Sequence, residues 1–300
     1  MKKQSLLFRL LHFYGSVVPY HPGKGRLLQW LLRWCNLRVD EDFDVVRGGY
    51  RWRLNPADFV QADVLWLGRK DYYDVYHLQR LLQPGHVFLD IGANFGYYSV
   101  MLAARLNKQG VIHAFEPNPP TLARLRRHVA INGLEDVIQV HSVALSDQTG
   151  TAALAMRDGN TGSAHIVSSN AVSAPVRLTT LDAFCEEQRL PRLDAVKIDV
   201  EGFEERVLLG GQQSLRRWRP VLLLELEPAR LADKQSSVER VASLLQELGY
   251  ALFVSRRGAL EPLRQLPEGK DAQMNVFCLP RPEGAAKGHQ LDLRTVERAV

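Results

Sequence analysis

From His86 onward the chain alternates short apolar runs of strand length with longer stretches whose apolar residues recur three and four apart. No other feature constrains the fold as much. "HVFLDIG" reads as a short buried strand and "GYYSVMLAARLN" as a helix. "GVIHAFEP" is a second strand, and "PPTLARLRRHVAINGL" a second helix ending near Asn132 and Gly133. "VIQVHSVAL" is a third strand. The alternation then breaks at "GTAALAM", "RDGNTGS" and "APVRLTT", two strand-like pieces around a turn signal, which predict an inserted β-hairpin. It resumes with "LDAVKIDV", the helix "FEERVLLGGQQSLRRW", the strand "PVLLLELEP", the helix "SSVERVASLLQELGY", and two final strands, "ALFVSRR" and "QMNVFCLP". Strands alternating with helices predict a mainly parallel α/β sheet covered on both faces. Only a loop separates the last two strands, so one of them should run antiparallel.

Composition agrees with one large α/β domain plus additions: 300 residues, 46% hydrophobic and 24% charged. Cys35, Cys185 and Cys278 are widely spaced with no CxxC pair, so neither a disulfide framework nor a zinc site is encoded, and a reducing, cytoplasmic setting is the natural reading. The net charge of +5 is unevenly placed: seven of the 38 basic residues fall in residues 1–39 with no acid, which leaves 31 against 33 acids beyond them. The main domain is therefore no basic platform for nucleic acid.

The basic arm contains "SLLFRLLHFYGSVV" and "RLLQWLLRW". Arg9 and His12 interrupt the first run and no small-residue cleavage site follows, so it reads as neither a signal peptide nor a membrane span. Its apolar spacing predicts helices capping the main domain. Weak peripheral contact with a membrane surface is the alternative use of such an arm. Residues 1–80 are thus expected to form a basic, helical extension, 81–282 the main domain and 283–300 a tail.

"LDIGANFG" sets Asp90 at the end of the first strand, then Gly92, Ala93, Asn94 and Gly96 in the turn into the helix. Glycines there let backbone approach a ligand, and open α/β sheets bind ligands beyond the carboxyl ends of their strands. Glu116 stands near the end of the second strand, where a carboxylate can accept both hydroxyls of a ribose. The pattern D-x-G-x-N-x-G is not the GxGxxG of a dinucleotide site. An acid before the glycines and an amide among them suit a ligand with an amino group and no phosphate, so S-adenosylmethionine is preferred to NAD. Asp90 would face its ammonium, directly or through water.

"FLDIGANFGYYS", "AFEPNPPTLARLRRHVAINGL", "VALSD", "TTLDAF" and "VKIDVEGFEERVLLGG" occur in order between about residues 80 and 230. In these motifs and their spacing the chain resembles the FkbM-type family of S-adenosylmethionine-dependent methyltransferases. The resemblance implies a Rossmann-like methyltransferase fold, an α/β architecture with a seven-stranded, mainly parallel sheet whose last strand inserts antiparallel. It also implies O-methylation of a hydroxyl on a sugar, glycolipid or related natural product. Carried across by position, Asp90, Gly92, Ala93, Asn94 and Gly96 would line the methionine side, Glu116, Pro117 and Asn118 the ribose, and Val143 and Ala144 the adenine. "WLGRKDYYDVYHLQRLL" and the acids of "ELEP" depart from the family pattern.

An alcohol acceptor must lose a proton as its bond to the methyl carbon forms, and a positioned carboxylate can take it. Asp199 ends the fourth strand, beside the first strand across the topological switch point, and is the first candidate. Glu201 shares that edge, and Glu225 and Glu227 alternate with leucines toward the end of the fifth strand. Glu225 is a second candidate base, and Glu227 and His165, beyond the "DGNTGS" turn, are candidate acceptor contacts. Four such acids could also hold magnesium, but the preferred reading has no metal. Lys197, within an apolar run, needs one of these acids as a partner. Glu204 and Glu205 suit the first turn of the next helix. The alternative function is an NAD-linked oxidoreductase. A nucleic-acid amino methylator would show an Asp/Asn-Pro-Pro-aromatic segment where this chain has "DVEG".

Overall fold

A computed structural model describes residues 42–68, 70–156, 164–167, 175–256 and 258–282, together with Leu10, Phe13, Tyr14, Val18, Leu27 and Trp30. The helices and strands, in chain order, are β1 (Phe43–Arg47), β2 (Tyr50–Leu54), α1 (Phe59–Leu67), α2 (Tyr72–Leu81), β3 (Val87–Ile91), α3 (Tyr97–Ala103), β4 (Val111–Phe115), α4 (Pro119–Ile131) and β5 (Ile138–His141). Then come β6 (Ala144–Leu145), β7 (Gly150–Met156), β8 (Ala164–Val167), β9 (Pro175–Thr179), α5 (Leu181–Glu187), β10 (Ala195–Ile198), α6 (Glu204–Leu209) and α7 (Gln212–Trp218). The chain closes with β11 (Val221–Leu226), α8 (Pro228–Asp233), α9 (Val238–Glu247), β12 (Tyr250–Arg256), β13 (Ala259–Pro262) and β14 (Met274–Pro280).

The main sheet has the order β13-β12-β14-β11-β10-β3-β4-β5. β5, β4, β3, β10 and β11 pair in parallel, and β14 inserts antiparallel to both β11 and β12. This is the expected architecture with one strand more than seven, because the loop between β12 and β14 folds back as β13. Successive strand residues feed opposite faces. Val87, Leu89 and Ile91 of β3 join the core under α5, α6, α7 and α9, whereas Phe88 joins the core formed with α2, α3 and α4.

Two regions differ from the sequence expectation. The expected hairpin is present as β7 against β9, with β8 and β6 extending it into a separate four-stranded sheet; its "RDGNTGS" turn lies outside the described residues. The 1–80 region is helical only in part, since β1 and β2 form an antiparallel hairpin turning at Gly48 and Gly49. That hairpin belongs to the main core, where Phe43, Trp52 and Leu54 pack with Leu78, Phe95 and Val129. Its open edge is closed by α4: Asn132 exchanges hydrogen bonds with both backbone groups of Arg51, and His128 Nε2 accepts the Arg53 N–H at 3.1 Å. His128 Nδ1 lies 2.7 Å from the Phe95 carbonyl, which only accepts, so the proton sits on Nδ1 and the ring fastens the loop before α3 to α4. Among the described residues no helix is long and apolar enough to cross a membrane.

Candidate active site

The parallel strands β4, β3, β10 and β11 end at one edge of the sheet, and the chemistry-bearing residues gather there. Gly92 (φ 77°) follows β3, and a Cβ on it would stand 1.8 Å from the Asp199 carbonyl oxygen, so glycine is required for the backbones that leave β3 and β10 to approach this closely. The Gly92 and Ala93 N–H groups both donate to the Phe115 carbonyl at the end of β4, which fixes the turn. The Asn94 side chain then accepts the Phe95 N–H.

Glu116 is 7% exposed. Its Oε2 accepts the Asn94 N–H at 3.0 Å and its Oε1 the Asn118 N–H at 2.8 Å, so the first turn and the start of α4 are tied to one carboxyl group. Burial pushes its pKa up to about 7, against those two hydrogen bonds. A carboxylate has about four acceptor positions and only two are engaged, so Glu116 can still receive two ribose hydroxyls. Val143 and Ala144 lie buried just past β5, and Asn118 holds the N-terminus of α4 with its amide on Thr121 Oγ1. Pro117 is partly exposed beside Glu116. These residues fit the nucleoside part of S-adenosylmethionine.

Asp90, expected to face a ligand ammonium directly or through water, is buried beneath α3. It lies on the α3 side of β3, fully buried, and its Oδ2 accepts both the N–H and the hydroxyl of Ser99 at 3.1 and 2.6 Å. Its remaining oxygen lies 3.6 Å from Lys197 Nζ. That lysine has found its partners: Nζ is 3.1 Å from Asp199 Oδ2, donates to the Gly92 carbonyl at 3.2 Å, and stands 5.1 Å above the Tyr98 ring. Burial opposes the Lys197 charge, but Asp199 and Asp90 outweigh it and raise its pKa.

The four acids of β10 and β11 divide into two groups. Asp199 and Glu225 lie within electrostatic reach of each other. Burial would raise Asp199, but Lys197 and Lys70 outweigh it and hold this carboxyl below its ordinary value. Glu225 goes the other way, pushed well above the carboxylate range by burial and by the Asp199 charge. The two carboxyls are thus shifted in opposite directions. Gln273 donates to Glu225 Oε1 from the loop before β14.

Glu201 and Glu227 are both engaged by Arg230 of α8, which removes them from this pair. Glu201 has φ 58°, and Gly202 after it (φ 98°) packs so closely that a Cβ would stand 2.4 Å from the Arg230 carbonyl oxygen. Glu204 closes the same turn by accepting the Val200 and Gly202 N–H groups at 3.1 and 3.2 Å, and Glu205 pairs with Arg240; both belong to the fold, as expected. His165 sits on β8 opposite Ala155, but its side chain is outside the described residues. Among the described residues no group of three or more His, Cys, Asp or Glu is arranged to hold a metal ion.

Sequence reasoning missed Lys70 and Asp71, which reach the site from the loop between α1 and α2. Lys70 Nζ pairs with Asp71, whose Oδ2 also accepts the Tyr98 hydroxyl at 3.0 Å, and the Lys70 N–H donates to the Tyr97 hydroxyl at 3.0 Å. The sequence signal was the departure of "GRKDYY" from the family pattern.

Residues 90–252 match the model of the methyltransferase FkbM domain. The chain is 26% identical over 182 residues to the 2-O-methyltransferase NoeI of Sinorhizobium fredii, covering 55% of this chain and 73% of that one. It is 29% identical over 130 residues to the hexuronic acid methyltransferase AglP of Haloferax volcanii, covering 43% and 52%. Over 70 residues it is 41% identical to the 31-O-demethyl-FK506 methyltransferase FkbM of Streptomyces tacrolimicus, covering 23% and 25%.

Proposed function

The chain belongs to the FkbM family and is an S-adenosylmethionine-dependent methyltransferase, and from that premise we propose that it methylates a hydroxyl of a sugar, glycolipid or related natural product. Membership in the family sets aside the oxidoreductase alternative. The observation that carries the proposal is the gathering of Asp199, Lys197, the Gly92 turn and Glu116 at one strand edge, with Lys197 on both Asp199 and the Gly92 carbonyl. The names of the similar proteins, two of them O-methyltransferases and one acting on a hexuronic acid, point the same way.

In this reading Glu116 receives the ribose hydroxyls, the Gly92–Gly96 turn lies along the methionine part, and Val143 and Ala144 flank the adenine. The cofactor supplies an already activated methyl group. What the protein adds is an acceptor oxygen held close and in line, and a place for its proton. Asp199, ionised at rest, accepts the hydrogen bond of the acceptor hydroxyl and then its proton. Glu225 fixes the carboxylate in place. Lys197 binds Asp199 and the Gly92 carbonyl together, so the proton acceptor and the cofactor turn keep one geometry.

Calorimetric titration tests the cofactor half: S-adenosylmethionine and its demethylated product should bind with heat, and NAD should give none. Heat with NAD alone would overturn it. A gain of one methyl mass in a glycan or metabolite extract, dependent on this protein, identifies the acceptor. We also propose that the basic arm gives the enzyme weak peripheral contact with a membrane surface.

A further inference from the structure

Among the described residues beyond the N-terminal arm, five large hydrophobic side chains are exposed, and three of them are Tyr72, Tyr73 and Tyr76 of α2. They are 49%, 45% and 37% exposed and lie on the side of the helix opposite Val75, Leu78 and Leu81, which enter the core. The Tyr72 and Tyr73 rings meet edge to face, 5.3 Å between centroids. This helix begins at the catalytic edge. Its cap residue Asp71 accepts the Tyr98 hydroxyl at 3.0 Å, Tyr98 lies beneath Lys197, and Lys197 holds Asp199. β14 starts at the same edge, where Asn275 stands opposite Glu225 and donates to Asp74 of α2 at 2.8 Å. β12, antiparallel to β14, ends there, and Tyr73 rests on the turn that follows: a Cβ on Gly258 would stand 3.4 Å from its ring.

We propose that Tyr72 and Tyr73 form a platform for a second sugar ring of a glycan acceptor, beyond the ring whose hydroxyl reaches Asp199. The proposal rests on the reading of this edge as a site of glycan methylation and deepens it, since the acceptor is then an oligosaccharide. Single exposed rings are ordinary, but a cluster of them beside a reaction edge marks a binding surface. A pyranose presents a flat face of C–H groups and a rim of hydroxyls. The electron-rich face of a tyrosine ring takes the first, and side-chain amides and carboxyls take the second. Both kinds of group stand at this edge. Gln273 and Asn275, alternate residues at the start of β14, use one amide N–H each on Glu225 and Asp74. Each amide therefore has a second N–H and a carbonyl oxygen to offer a hydroxyl. An anionic ligand has less to bind here, because Arg80, the arginine of this helix, is stacked on the Tyr76 ring at 5.7 Å. A lipid chain would leave the tyrosine hydroxyls without hydrogen bonds, whereas a sugar satisfies them. The helix precedes residues 90–252, the part matched to the family, so it is an element of this chain's own acceptor choice.

The probes are the glycan that gains a methyl group in an extract, purified, and the same glycan trimmed by glycosidases to the methylated sugar alone. Wild-type full chain should have the higher kcat/KM on the intact glycan. Tyr72→Ala with Tyr73→Ala should lower the ratio of intact to trimmed by about tenfold, mostly through the KM of the intact glycan, while calorimetric binding of S-adenosylmethionine persists. Tyr72→Phe with Tyr73→Phe, which keeps the rings, should hold the ratio near that of the wild type. Equal use of both probes by the wild type, or a ratio that the alanine pair leaves unmoved, would overturn the proposal, as would an acceptor holding a single sugar. A protein occupant of the face would show as self-association or complex formation lost in the alanine pair with the ratio unmoved, and counts against it too. Should the alanine pair fail to fold, the ring proton signals of Tyr72 and Tyr73 in the wild type decide: the intact glycan should shift them and the trimmed sugar should not, and rings blind to both refute the platform. Failure of the underlying reading would appear separately, as methyl transfer to no glycan at all or as turnover retained by Asp199→Asn.

Discussion

At the scale of single residues, the site is decided by which carboxylates already have partners. Asp199, Glu201, Glu225 and Glu227 look alike in sequence, and the structure separates them by one arginine: Arg230 takes Glu201 and Glu227. What remains is Asp199 beside Glu225, with Lys197 on Asp199. Replacing Asp199 by asparagine preserves size and most hydrogen bonding but leaves nowhere for the acceptor proton. Turnover of the acceptor found by the methyl mass shift should fall at least a hundredfold, in keeping with the usual contribution of a positioned base, while calorimetric binding of S-adenosylmethionine persists. Unchanged turnover would remove Asp199 from the chemistry. The Asp199 candidacy was legible in sequence because it follows from the strand end alone. The commitment of Glu201 was not, because Arg230 stands 29 positions further on in a helix of its own. The Asp90 contact was not legible for a related reason: a strand-end acid can face the cleft or the neighbouring helix, and its bond to Ser99, nine residues later, does not show in the strand pattern.

At the scale of elements, the turn between β10 and α6 is built around a buried acid. Glu204 is 2% exposed, its Oε1 accepts two backbone N–H groups of the turn, and its Oε2 has no hydrogen-bond partner among the described residues. Burial pushes its pKa up to about 7 from 4.5. The folded chain thus keeps a proton that the unfolded chain releases above pH 4.5, so this group's contribution to stability is full below 4.5 and is lost as pH rises toward about 7. Glu204→Gln keeps the acceptor oxygen and removes the charge. It should leave stability unchanged near pH 4 and raise it at pH 8, by on the order of 1–3 kcal/mol from the size of the shift. Denaturant melts of both proteins across that range check this, and parallel curves would refute it. The hairpin β1–β2 shows what the sequence did carry and pattern reading passed over. "FDVVRGGYRWRL" places two glycines between strand-like runs, a hairpin signal, and both adopt positive φ. The strand–helix alternation was easier to read because a parallel sheet buried on both faces demands long apolar runs, whereas a half-exposed edge hairpin does not.

At the scale of the whole molecule, basic charge is concentrated in the first 39 residues. Residues 1–39 carry seven basic side chains and no acid, while the rest of the chain is close to neutral. Within that arm Leu10, Phe13, Leu27 and Trp30 are helical and 56%, 61%, 40% and 57% exposed, and Tyr14 is packed against the main core. Tyr14 packs against the main core, while Leu10 and Phe13, and again Leu27 and Trp30, are exposed and spaced three apart. Basic charge with exposed leucine and aromatic rings is the combination that binds an anionic bilayer surface, and each basic residue near such a surface adds about 1 kcal/mol that salt then screens. The full chain should therefore co-sediment weakly with vesicles containing phosphatidylglycerol and not with phosphatidylcholine alone. Raising salt from about 0.05 to 0.5 M should release it, because the Debye length shrinks several-fold over that range. Leu10→Glu with Phe13→Glu should abolish binding while calorimetric binding of S-adenosylmethionine stays intact, since neither residue belongs to the strand edge that holds the cofactor. Equal binding to neutral vesicles, or association of the chain with itself that the same two substitutions abolish, would assign the exposed face to a different partner.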